Sequence, residues 1–262
     1  MISTEASSSA ITEETIYQAI ADVLDPELDE PLVKLGFVDR VEVTGPDVSI
    51  TFKLPTFWCS PNFAYLMAAD LRKSASAVAG VRQVRVLLLD HCAEEEVTAG
   101  VNAGHSFAEA FPGETAEDEH LEELRRIFLR KGFLQRQDTL LRQMLKLGLD
   151  EATIAALCVR DLRVDEPFNA AVVTARGQDY RLERVGQSAS LYQQRRVTLG
   201  LPCAPGDPLM VDDQGKPLQV GELQQFLRRS RSIRMNIMLN TTLCKGLFHT
   251  RYGGNSAPDE DN

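Results

Sequence analysis

The sequence predicts an α+β protein. A small N-terminal α/β domain, in the order helix, strand, strand, helix, strand, precedes a C-terminal domain of three short helices and a few β-strands. Three observations carry this expectation. Apolar residues recur at helical spacing over residues 16–24, and residues 62–78 are rich in the helix formers Ala, Leu and Met. Between them, two β-branched runs alternate with period two around a turn-forming tetrapeptide. Charge also divides the chain, residues 1–112 holding 7 basic and 17 acidic side chains and residues 113–262 holding 21 of each. The expected organisation is a disordered tail over residues 1–11, an α/β domain over 12–112, a helical and β domain over 113–252, and a second disordered tail over 253–262.

The first helix is expected over residues 13–24, where Ile16, Tyr17, Ile20, Val23 and Leu24 share a face and Thr12 can cap the N-terminus ahead of Glu13 and Glu14. It stops at Asp25-Pro26. Residues 38–43 and 48–54 read as two strands of a hairpin closed by Thr44-Gly45-Pro46-Asp47. After Pro61, the Ala-, Leu- and Met-rich residues 62–78 read as a helix closed by Gly80, and residues 81–89 return to strand. A weakly periodic stretch from Ala99 leads to the breaker cluster Ala110-Phe111-Pro112-Gly113-Glu114, where the domain boundary is placed.

Beyond it, residues 117–131 align Leu121, Leu124, Ile127 and Phe128, residues 134–147 repeat the pattern, and Asp150-Glu151 caps a third helix through Cys158. Residues 169–175, 180–185 and 195–201 read as strand-like pieces. Gly206-Asp207-Pro208 and Asp212-Asp213-Gln214-Gly215 read as turns, and residues 220–229 as one more helix.

The composition, 44% hydrophobic and 25% charged over 262 residues, is that of a folded protein with a sizeable core. A formal charge of -10 disfavours nucleic acid and anionic membrane as partners. No run approaches the roughly 20 apolar residues that span a bilayer, and the Ser-rich start lacks a basic and an apolar leader region, so a cytoplasmic location is expected. Five scattered cysteines, Cys59, Cys92, Cys158, Cys203 and Cys244, do not make a disulfide framework, and free thiols are expected.

The chain contains no GxxxxGK phosphate loop, GxGxxG, GxSxG, HExxH or CxxC. What stands out is Pro55-Thr56-Phe57-Trp58-Cys59-Ser60-Pro61, where a cysteine follows a strand, precedes a helix and adjoins the only tryptophan. Aligned N–H groups at a helix N-terminus favour thiolate, which is both a nucleophile and a soft metal ligand. An inert buried thiol is the plainer alternative.

Four motifs in order carry a resemblance: Asp25-Pro26-Glu27-Leu28, Leu35-Gly36-Phe37-Val38, the Cys59 loop, and Ala79-Gly80-Val81-Arg82-Gln83-Val84-Arg85-Val86. Over about residues 12–92 the chain resembles the SufT/PaaD-like family of iron-sulfur assembly (metal-sulfur cluster assembly) factors. The resemblance implies a small α/β domain that assists assembly or delivery of clusters, or maturation of metalloenzymes, with Cys59 at the position of the usual functional cysteine. The chain departs from many relatives in reading Cys59-Ser60-Pro61 rather than Cys-Pro, and in carrying Leu89-Asp90-His91-Cys92-Ala93-Glu94 where a Trp-Pro-rich segment often stands.

A cluster or zinc site takes four ligands. On this reading Cys59, His91, Cys92, Asp25 and Glu27, with His105 in reserve, are candidate ligands for labile iron or a transient iron-sulfur cluster. Two chains sharing a cluster through paired cysteines, a homodimer, is the alternative. His91-Cys92 also reads simply as a strand end with a capping imidazole, and Asp25 and Glu27 as turn caps.

In the C-terminal half, residues 181–251 hold 11 basic and 5 acidic side chains, including Arg195-Arg196 and the run Arg228, Arg229, Arg231 and Arg234. That run is the expected contact surface of a partner-binding module, or a solvated helix face. Cys158, Cys203 and Cys244 read as structural, and Cys244 and His249 are too far apart along a helix to share a face. The expected function is an accessory maturation factor rather than a turnover enzyme, with a client metalloenzyme, by resemblance an oxygenase, or iron-sulfur assembly proteins as partners. A metal-free adaptor is one rival. A thiol enzyme pairing Cys59 with His91 or His105 is another.

Overall fold

A computed structural model describes residues 11–113 and 118–253. The expected tails fall almost entirely outside the described residues. The chain divides into two compact units, Met1–Glu123 with Leu239–Asn262, and Leu124–Met238.

In the first unit, α1 (Glu13–Ile20) starts as its sequence dictates. The Thr12 hydroxyl accepts the Thr15 N–H at 3.2 Å, and Glu13 and Glu14 lie in the first turn, where they favour the positive end of the helix dipole. Its apolar face buries Ile16 and Ile20 completely. The chain then turns through a two-residue ladder of β1 (Leu24–Asp25) and β2 (Glu30–Pro31) into α2 (Leu32–Leu35), which ends at Gly36 in the left-handed region that glycine adopts without strain.

Strands β3 (Val38–Thr44) and β4 (Asp47–Lys53) form the expected hairpin, with Gly45 at φ 60 in its turn. From β4 the chain crosses through α3 (Pro61–Ser76) to β5 (Gln83–Leu89), which pairs parallel to β4. The sheet order is β3-β4-β5. Period-two alternation sends Val48, Ile50 and Phe52 of β4 and Val84, Val86 and Leu88 of β5 into one core with Ala64, Met67, Ala68 and Leu71 of α3. Burial of each large apolar side chain is worth about 1.5–3 kcal/mol, which is what holds the helix on the sheet.

The weakly periodic stretch beyond β5 is also helical, as α4 (Glu94–Ala103) and α5 (Phe107–Ala110). Asn102 on α4 accepts the Val86 N–H at 2.9 Å and donates to the Val86 carbonyl at 2.7 Å, satisfying backbone groups of β5 that no strand pairs. Periodicity alone understated this segment because Glu94, Glu95 and Glu96 leave only Val97 and Val101 to show a buried face.

The two helices expected over residues 117–131 and 134–147 are one, α6 (Asp118–Lys146), which belongs to the second unit from Leu124 onward. Gly132 costs about 1 kcal/mol in a helix interior. Adjacent Phe133, with Leu140, Leu141 and Met144, is fully buried, and that packing outweighs the cost. The third expected helix is the short α7 (Glu151–Ala155), capped by Asp150 onto the Thr153 N–H at 2.7 Å.

Strands β6 (Leu162–Asp165), β7 (Ala170–Ala175) and β8 (Gln178–Leu182) form an antiparallel meander. Residues 195–201, expected as strand, instead end α8 (Gly186–Thr198). Val197 and Thr198 suggested strand, but burial at Ala189, Tyr192 and Arg196 follows the i, i+3, i+7 spacing of a helix. The helix expected over residues 220–229 runs on as α9 (Glu222–Tyr252). Its residues from Leu239 belong to the first unit, so the segment expected wholly in the C-terminal domain is divided between the two.

Candidate functional site

Cys59 sits in the loop between β4 and α3, directly before Ser60 at the N-cap and Pro61 at the first helical position. Proline fits there because the first N–H of a helix has no partner to lose. Cys59 is half-buried, and its Sγ accepts a hydrogen bond from Thr56 Oγ1 at 3.5 Å. Beside it Phe57 and Trp58 are outward-facing, Trp58 with 78% of its surface exposed, and the two rings meet edge to face at 4.8 Å.

The loop is stapled to the turn after β5. His91 Nε2 lies 2.8 Å from the Cys59 carbonyl oxygen, and the Cys92 N–H donates to the Phe57 carbonyl at 2.9 Å. The Ala93 N–H donates to His91 Nδ1 at 3.1 Å, so Nδ1 is the acceptor and the ring proton resides on Nε2, which donates to Cys59. Burial pushes the His91 pKa down, and the nearby Arg251 charge pushes the same way. His91 is therefore a neutral positioning group with both nitrogens engaged. Of the two readings of His91-Cys92, its imidazole matches the cap. Cys92 is exposed at the same turn.

Asp25 and Glu27 occupy the turn between β1 and β2. Asp25 is only 8% exposed, and its Oδ1 accepts the N–H groups of Glu27 at 2.8 Å and Leu28 at 2.9 Å. Burial raises its pKa from 3.8 to about 6 against those two hydrogen bonds, with the Glu27 and Asp29 charges adding to the rise. Glu27 Oε1 accepts a hydrogen bond from Asn240 Nδ2 at 3.2 Å.

That last contact belongs to a group of residues that sequence reasoning missed. Asn240, Cys244 and Phe248 recur every four residues on α9, and this face lies on the first unit. Phe248 packs on Phe37 with ring centroids 5.0 Å apart, and half-buried Cys244 joins the same apolar core as Cys59. Further on, Arg251 donates to the Leu54 carbonyl at 3.4 Å and to the Asp90 carbonyl at 2.7 Å, one just past the end of β4 and the other just past β5. Burial raises the Cys244 pKa to about 11, helped by the charges of Asp25, Cys59 and Glu27. The i, i+4, i+8 spacing was the available signal. It was obscured because residues 239, 243 and 247 are leucines at the same spacing, and they are the exposed ones.

Among the described residues, no three His, Cys, Asp or Glu side chains form a ready-made metal site. His105 is exposed, and its carbonyl accepts the Tyr65 hydroxyl.

In the second unit, Arg228, Arg229 and Arg231 are exposed, whereas Arg234 Nε lies 3.1 Å from Oδ2 of fully buried Asp138. Asp138 also accepts Arg142 at 2.7 Å and Ser230 Oγ at 2.6 Å, so Arg234 joins Arg142 and Ser230 around one buried carboxylate. Arg229 lines a cavity of about 340 Å³ together with Asp212, Asp213, Lys216 and Glu222. Arg195 and Arg196, counted in the sequence as part of a basic face, are buried. Arg196 donates to the carbonyls of Pro202, Pro208 and Leu209, which compensates its charge inside the unit. Cys158 is half-buried and Cys203 exposed.

Comparison with known proteins places one part of this chain. Residues 13–88 match the model of a family described as iron-sulfur cluster assembly protein. The matched segment runs from the first residue of α1 to the penultimate residue of β5 and contains Asp25, Glu27 and Cys59. No curated protein and no solved structure matches the chain.

Proposed function

We propose that this protein is an accessory factor in iron-sulfur cluster assembly or metalloenzyme maturation that carries iron or a cluster transiently through Cys59. The observation that supports it most is the placement of Cys59: a half-buried thiol at the start of α3, inside the segment that matches the assembly family, on a loop whose backbone is held by His91 and Cys92. A transient carrier does not need a closed four-ligand cage. Structural metal sites are closed, and an open coordination position is what lets a metal be passed on or react.

Anaerobic reconstitution with iron and sulfide tests this reading. The native chain is expected to hold iron with thiolate charge-transfer absorption, and Cys59→Ala to lose both. Failure of the native chain to hold iron would overturn it.

A metal-free adaptor is the second reading. It is favoured by one observation: Phe57 and Trp58 offer an exposed apolar contact surface on the same loop. On that reading Cys59→Ala keeps full client activation and Trp58→Ala loses it. The client, and the role of Arg228, Arg229 and Arg231 as its contact surface, remain part of this proposal.

A further inference from the structure

We infer that Cys244 is the second thiol of the cargo site, presented to Cys59 by the last helix of the chain. The inference rests on the carrier reading of Cys59. Three contacts locate the helix. Four residues before Cys244, Asn240 donates to Glu27; four residues after it, Phe248 stacks on Phe37; seven after it, Arg251 reaches the Leu54 and Asp90 carbonyls.

Residues at i, i+4, i+8 and i+11 of a helix share one face. Cys244 therefore lies on the docked face, between a contact to the Asp25-Pro26-Glu27 turn and contacts flanking the Cys59 loop. Consistent with this, it packs on the same apolar core as Cys59. The adjacent Leu239, Leu243 and Leu247 are exposed, so the helix docks by the face that carries Asn240, Cys244 and Phe248.

Two thiols on separate elements make a soft donor pair suited to Fe(II), Zn(II) or a small cluster. Each cysteine that ligates gives its thiol proton to solvent and binds as thiolate. Two protein sulfurs leave the remaining coordination positions to sulfide, water or an acceptor, which is what release of cargo requires.

Co(II) is the probe, because thiolate ligation gives it a near-ultraviolet charge-transfer band. The full chain is titrated with Co(II) under anaerobic conditions as the native protein, as Cys59→Ser and as Cys244→Ser. The cobalt-bound sulfurs are counted by X-ray absorption on the native chain and on Cys244→Ser.

The expected result is two sulfurs in the native chain, one in Cys244→Ser, and a charge-transfer band about halved. Because partners outside the first coordination sphere are already worth roughly 10- to 100-fold in metal affinity, loss of a ligand is expected to weaken Co(II) at least that much. A single sulfur in the native chain overturns the inference without using any variant. Two sulfurs persisting in Cys244→Ser also overturn it and point to Cys59 paired across two chains, or to Cys92. In both cases the role of Cys59 survives. A native chain that binds no Co(II), or a Cys59→Ser chain with an unchanged band, overturns the carrier reading and this inference with it.

Discussion

His91 holds the backbone of Cys59, not its sulfur: its Nε2–H donates to the Cys59 carbonyl at 2.8 Å while Nδ1 accepts the Ala93 N–H. Two segments 32 residues apart in sequence are thereby joined at the C-terminal ends of two parallel strands. Both ring nitrogens are committed to backbone groups.

Replacing His91 by Ala is expected to destabilise the protein by about 1–3 kcal/mol, since both the Cys59 carbonyl and the Ala93 N–H lose a partner. The effect has a defined pH dependence. The folded pKa of His91 lies below its ordinary 6.5, so on acidification the unfolded chain takes up the proton first. The contribution of His91 is complete above pH 6.5 and is lost as pH falls through the folded value. Urea unfolding of native and His91→Ala protein across this range should show the difference between them shrinking toward low pH.

Asp25 works in the opposite direction. Its folded pKa, about 6, exceeds the ordinary 3.8, so its contribution is complete below pH 3.8 and is lost as pH rises through 6. The groups facing it, Glu27, Asp29 and Cys244, add no positive charge. Asp25→Asn keeps an oxygen for the Glu27 and Leu28 N–H groups without the buried charge. It should stabilise the protein by roughly 1–3 kcal/mol at pH 8, at 1.36 kcal/mol per pKa unit, and the gain should fade by pH 4. Denaturant midpoints at the two pH values measure this.

Trp58, the only tryptophan, reports on the residue beside it. Because it is so exposed, Trp58→Ala should change stability by no more than about 0.5 kcal/mol. Co(II) bound at Cys59 should quench the Trp58 emission, and Cys59→Ser should abolish the quenching at the same cobalt concentration. Unchanged emission on loading of the native chain would count against metal at this loop.

Arg196, with 1% of its surface exposed, ties α8 to the carbonyls of the chain that follows it. Arg196→Ala should destabilise the second unit by on the order of 3 kcal/mol, because several buried carbonyls lose their donor at once. Thermal unfolding followed by circular dichroism checks it. Arg228→Ala, on the exposed run, should leave the melting temperature nearly unchanged.

Local chemistry in the sequence determined the elements of the N-terminal part. The Thr12 cap, the β-branched alternation around Gly45-Pro46 and the Ala-rich run after Pro61 each specify their own segment, and the hairpin, α3 and β5 follow them closely, whereas α1 stops at Ile20, short of the expected residue 24, and Leu24 enters β1. Cys59 was legible for the same reason: a cysteine between a strand and a helix is a local pattern. Single-segment periodicity failed where packing overrode propensity. Buried Phe133 carries α6 through Gly132, and burial of Tyr192 and Arg196 makes helix of a stretch that ends in β-branched residues. Only the tertiary structure decided that His91 grips a carbonyl, that Arg234 pairs with buried Asp138 and Arg196 serves the interior, and that Cys244 belongs with residues some 200 positions before it. The period of a helix shows which residues share a face, but which face is buried depends on the surface it meets, and that surface is made by distant parts of the chain.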